Sequence, residues 1–155
     1  MKRVLPFVCA SVLLWPSVAA NARLISVWPY EKLVDNSDVV ALVEVKSIEK
    51  TSAVFSGHGD PERFQGYVAH MAVAWVIKGD QKMEQLNLAF FKYSTLWSEP
   101  NGALFIDFRE PEQHQYLIFA RKGENGAWVP TTGHYDASIS VKEIKNDHFS
   151  SPHGN

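Results

Sequence analysis

Residues 67–80, "YVAHMAVAWVIKGD", decide the fold class. Tyr67, Ala69, Met71, Val73, Trp75 and Ile77 alternate with their neighbours, a period of two that puts all six on one side of an extended chain. Lys78-Gly79-Asp80 closes the run with turn residues, so the stretch predicts one long strand with Trp75 in the core. His70 has the opposite phase to Met71 and is expected to face solvent or a hydrogen-bonded partner.

Moving outward, "EQLNLAFFKYS" (84–94) reads as a following strand. Upstream, "VVALVEVKSI" (39–48) sets Val39, Ala41, Val43 and Val45 on one side. Val40 and Leu42 on the other predict a central strand covered on both faces. Before it, Pro29 opens a short helical pattern in which Tyr30, Leu33 and Val34 share a face. Residues 51–66, with three glycines, a proline and several charges, read as a polar loop or hairpin end. Residues 95–115 are less regular: "ALFIDF" could pair briefly, and Glu99-Pro100-Asn101-Gly102 signals a turn. "YLIFAR" and "AWVP" form a hairpin around Asn125-Gly126, and "ASISVKEI" (137–144) alternates as a last strand. These elements predict a mainly β domain with one short N-terminal helix, built as a small antiparallel barrel of five or six strands or as a sandwich.

The chain opens "MKRVLPFVCASVLLWPSVAANA", with a basic start, an apolar run from Val4 to Trp15 and small residues up to Ala22. This predicts a secretory signal peptide over 1–22, cut after Ala22 or, as second choice, after Ala20. The apolar run is too short to span roughly 30 Å of hydrocarbon, so no membrane span is expected after cleavage. A periplasmic or secreted single β domain over 23–145 would follow, with a flexible tail over 146–155. Cys9, the single cysteine, would leave with the leader, which removes thiol catalysis, disulfides and cysteine-ligated zinc. Loss of Lys2 and Arg3 takes the 15 basic residues to 13 against 17 acidic ones, a net of −4. With charges mixed along the chain, nucleic acid is not an expected partner.

The order of elements resembles small exported bacterial proteins with an OB-like barrel related to the netrin-like modules of tissue inhibitors of metalloproteinases. The stretches that carry it are "YEKLVDNSDVVALVEVKSI", "MAVAWVIKGD", and "YLIFARKGENGAWVP" followed by "TGHYD". The resemblance implies a scaffold. Those inhibitors reach a target's metal with an N-terminal cysteine, whereas a chain beginning at Arg23 has none, so their chemistry does not carry over.

Thr131, Thr132, His134, Tyr135 and Asp136 crowd six positions and could set a proton acceptor beside a hydroxyl. Turn chemistry accounts for the same residues, with Gly133 supplying positive φ and Asp136 capping the reversal, and it is the preferred reading. On that reading His134 is a surface group. The six histidines include no His-x-His or His-Glu-x-x-His pair, so neither a metal site nor a cofactor is assigned. Asp107, Glu110 and Glu112 in "IDFREPE" read as a solvated loop around Arg109. Trp128 is placed in the core, whereas Trp97, among turn residues, is a candidate stacking platform. Trp97, His134 and Tyr135 are the candidate ligand-binding residues, and no catalytic residue is assigned. The expected function is a non-enzymatic interaction or binding module of the bacterial envelope, with an envelope protein or glycan as partner. The alternatives are a small metal-dependent hydrolase using His58, His70 and His134, and a carbohydrate-binding module.

Overall fold

The computed structural model describes residues 25–54, 64–94, 102–109 and 114–144. The expected leader, the C-terminal tail, Trp97, His58, Glu110 and Glu112 lie outside the described residues. Within them the chain is mainly β with one short helix. It runs α1 (Tyr30–Asp35), β1 (Val39–Val54), β2 (Phe64–Lys78), β3 (Gln85–Tyr93), β4 (Gln115–Lys122), β5 (Trp128–Pro130), a 3-10 turn (Ala137–Ser140) and β6 (Val141–Ile144).

The strands pair in the order β1-β2-β3-β5-β4-β6, and a further β1–β4 pairing joins the first five into a ring. An all-antiparallel arrangement was expected, but β3 and β5 pair in parallel, through Leu88 and Trp128. The reason is parity. Directions cannot alternate all the way round a ring with an odd number of members, so one neighbouring pair must run the same way. β1 holds the centre, as its two-faced pattern implies, with β2 on one side and β4 on the other.

Inside the ring, Val39, Ala41, Val43, Met71, Leu88, Phe90 and Ile118 are buried together. Phe90 is fully enclosed, edge-on to Phe108 at 5.4 Å and stacked on Tyr67 at 5.8 Å. On the outer side of β1, Val40 packs with Leu33 of α1 and Phe119 of β4, with Trp28, Leu117 and Ile139 around them. This second cluster fastens the helix to the sheet. The Lys78 ammonium adds a tie by donating to the carbonyls of Val34 at 2.7 Å and Asp35 at 3.3 Å, where a helix's C-terminal carbonyls favour a cation.

The alternation of β2 does not survive to its end. Tyr67, Ala69, Met71 and Val73 keep to the inner side, but Trp75 is 68% and Ile77 57% exposed, and Val76 takes the buried place. Opposite Leu42 and Val43 stand Trp75 and Val73, leaving Ala74 as an extra residue. Opposite Val40 and Ala41 stand Lys78 and Val76, leaving Ile77. Each extra residue is a β-bulge, and one bulge exchanges the faces of everything after it. The core assignment of Trp75 is therefore overturned.

In the stretch read as a polar loop or hairpin end, strand pairing reaches Val54 and begins again at Phe64, as a hairpin end does. Two further expectations change. Residues 103–108 form no strand; Ile106 and Phe108 are buried all the same, because Leu104 N–H donates to the Tyr135 carbonyl and the Leu104 carbonyl accepts from Ser138 N–H. That clamp also holds 137–140 in a 3-10 turn, so only Val141–Ile144 of the expected last strand pairs, with β4. The β4–β5 hairpin is as read, with Gly126 at φ +77°.

Candidate functional site

The polar run 131–136 divides into an inward half and a cleft-facing half. Ser37 Oγ donates its one proton to the Leu33 carbonyl at 2.6 Å, so the 2.7 Å contact with Thr131 must have Thr131 as donor. Thr132 Oγ donates to the Asp136 carbonyl at 2.7 Å and therefore accepts from Ser140 Oγ at 2.8 Å, while Ser140 Oγ accepts from Thr132 N–H. Gly133 has φ +80°, as turn chemistry requires. Asp136 precedes the 3-10 turn without a side-chain capping bond to it. Both threonines are thus engaged in holding the turn to α1 and to residues 137–140.

His134 is not a surface group. Its ring is half-buried, edge-on to Phe91 at a centroid separation of 4.7 Å. Burial lowers its pKa below the ordinary 6.5, and the nearby positive charge of Arg121 lowers it further, so the imidazole is neutral at pH 7. Tyr135 is half-buried as well.

His134 lines a cleft of about 510 Å³ on the outer side of β3. Leu86, Leu88 and Phe90 point into the core, so Ala89 and Phe91, one residue out of phase, face outward as its floor. The β4–β5 hairpin, from Arg121 through Asn125 to Val129, forms the opposite wall, and Ala53 of β1 closes one end. Lys122 holds its ammonium 5.4 Å above the Trp128 ring. No carboxylate of the described residues lies within ion-pair distance of Arg121.

His70 stands elsewhere. Its ring nitrogens contact Asn87 Oδ1 at 3.0 Å and Glu49 Oε2 at 3.3 Å, and it lines a different, smaller cavity with Lys46 and Gln85. The structure does not bring His70 and His134 into one cleft. His114 pairs with Glu143 at 2.8 Å, with Arg109 3.7 Å from the same carboxylate oxygen. Asp107 pairs with Lys92 at 3.0 Å. Among the described residues, no three His, Cys, Asp or Glu side chains gather closely enough to hold a metal ion.

A second feature lies at the far end of β2. Pairing with β3 ends at Ala72 and Gln85, followed by one bond from Val73 N–H to the Glu84 carbonyl. Beyond it, Ala74–Lys78 pairs with β1 on one side, and no strand of the described residues pairs on the other. Trp75 and Ile77 stand on this open edge, beside a hollow of about 510 Å³ walled by Gln81 to Glu84. Periodicity missed this edge because it carries no mark of a bulge. Arg121 was missed because a charged residue before a glycine turn looks like ordinary hairpin punctuation.

Comparison with known proteins finds no matching family model, no matching curated protein and no matching solved structure.

Proposed function

We propose that this chain is an exported, non-enzymatic binding module of the bacterial envelope, and that it takes an extended segment of a partner protein along the open edge of β2. The observation that carries the reading is the pair Trp75 and Ile77, both more than half exposed on a strand segment with one unpartnered side. An unpaired strand edge offers N–H and C=O groups to a further strand, and large apolar side chains beside it give an added strand something to bury. Trp is among the residues that contribute most at protein interfaces. The two bulges twist the edge, which disfavours flat stacking of identical copies and suits a single fitted segment. Export rests on the leader pattern of residues 1–22. The OB-like, netrin-like likeness belongs to the same proposal, as the scaffold on which the edge is displayed.

The test is site-specific cross-linking, with a photoreactive benzoylphenylalanine in place of Ile77 and, as control, in place of Asp107. The reading expects one discrete adduct with another protein from position 77, none from 107, and loss of the adduct when Trp75→Ser is added. An adduct that persists in Trp75→Ser, or the absence of any from position 77, rejects it. An adduct of twice the chain's own mass would assign the edge to a second copy and reject a partner protein.

A further inference from the structure

We propose that the cleft between β3 and the β4–β5 hairpin binds a small monocarboxylate, a single carboxylate group carried on an apolar body. The site is separate from the β2 edge. Its two halves differ in chemistry. Ala89, Phe91, Ala127 and Val129 supply an apolar floor and wall, while Arg121 places a guanidinium at the rim. That guanidinium is exposed and has no carboxylate partner among the described residues, whereas Arg109, Lys46 and Lys92 each have one. A guanidinium presents a planar fork of donors that matches the two oxygens of a carboxylate. His134 at the inner end is neutral at pH 7 and offers a ring edge without a second positive charge. The volume of about 510 Å³ lies in the range of small-molecule sites.

The charge count selects one negative charge over two. Glu124 lines the same cleft, and Lys122 is drawn over Trp128. A phosphate dianion would meet a single guanidinium and a repelling carboxylate, whereas a monoanion with an apolar remainder uses both halves.

The experiment is an amide and histidine-ring NMR titration of the full chain with benzoate, with neutral benzamide and inorganic phosphate as parallel probes. Benzoate is expected to give saturable shifts confined to residues 121–127, Phe91 and His134. Benzamide should bind at least about tenfold more weakly, the loss of one charge-assisted pair, and phosphate should be weaker than benzoate. Arg121→Gln, at an exposed side chain, should keep the fold by circular dichroism and lose the benzoate response. Glu124→Gln should tighten benzoate about threefold, the scale of one exposed like-charge contact. Equal binding of benzoate and benzamide overturns the anion site, and phosphate binding as tightly as benzoate overturns the monocarboxylate. Retained benzoate binding in Arg121→Gln, or weakened binding in Glu124→Gln, overturns the assignment of those side chains.

Discussion

Hydroxyl bookkeeping at Ser37 sets an order between two single substitutions. Ser37 Oγ donates to Leu33 and accepts from Thr131 in a buried setting. Ser37→Ala leaves both the Leu33 carbonyl and the Thr131 hydroxyl short of a partner, while Thr131→Val removes a donor and leaves the Ser37–Leu33 bond in place. Losses of about 2 to 3 kcal/mol and about 1 kcal/mol are expected from urea unfolding. The reverse order would mean that the proton assignment is wrong. The two tryptophans separate in the same assay. Trp128 is half-buried against the core, so Trp128→Ala should cost about 2 kcal/mol, below the value for full enclosure, whereas exposed Trp75→Ala should cost less than about 0.5 kcal/mol. His134 contributes a pH dependence of definite sign. Its folded pKa lies below the unfolded value near 6.5, so the unfolded chain binds more protons in the interval between them. Its contribution is complete above about pH 6.5 and is lost as pH falls through the folded pKa. The difference in stability between wild type and His134→Gln, measured from pH 7.5 to 4.5, should therefore shift in that window. A flat difference would place the ring in water.

At the scale of the element, β1 and β2 are shaped by departures from regular pairing. A Cβ added at Gly66 on β2 would lie 2.6 Å from Thr51 Oγ and 2.8 Å from the Ala53 carbonyl oxygen, the second of them backbone that cannot swing aside. Gly66→Ala should therefore cost about 1 to 3 kcal/mol and loosen the Thr51–Val54 end of β1. Unchanged stability would show that the strands separate there without penalty. Leu86, Leu88 and Phe90 on β3 declare their face by alternation alone, and so do Val39, Ala41 and Val43. Trp75 could not, since its exposure depends on Ala74 being the residue without a partner, and a small apolar residue satisfies a strand pattern in either register. Asn125-Gly126 announced its hairpin because a position held at positive φ, here Gly126, restricts residue choice. Ala137–Ser140 kept its alternation yet became a 3-10 turn, because its backbone partner, Leu104, comes from a distant segment. The candidate site follows the same division: His134 was visible as a chemical type, whereas the cleft it lines depends on Phe91 facing outward and Arg121 crossing from the hairpin, which only tertiary placement supplies.

For the whole molecule, an odd-membered ring of strands has one obligatory parallel junction, and here it is also the thinnest. β3 and β5 meet at Leu88 and Trp128 alone, and β5 is three residues long, ending in Pro130, which has no N–H to offer. By contrast, Val40–Glu44 of β1 lie between β2 and β4, and their side chains feed both the ring core and the cluster under α1. Stability is therefore expected to be graded around the ring, since segments with few ladder bonds open at lower free energy than those locked on both sides. The seam between β3 and β5 also borders the cleft at Ala89 and Phe91 and carries the hairpin wall, so opening there would widen the cleft while β1 stays paired. Native-state amide hydrogen exchange measures this directly. The amides of Ala41 and Val43 should exchange only through global unfolding, with the full denaturant dependence. Those of Trp128 and Ala89 should exchange through local opening, with a smaller apparent free energy and a weak denaturant dependence. Benzoate should raise protection at the seam and leave β1 unchanged, because a ligand held between β3 and the hairpin stabilises only against openings that separate them. Uniform protection around all five strands would show that the single Leu88–Trp128 junction is as strong as the doubly paired centre, and the graded ring would have to be abandoned.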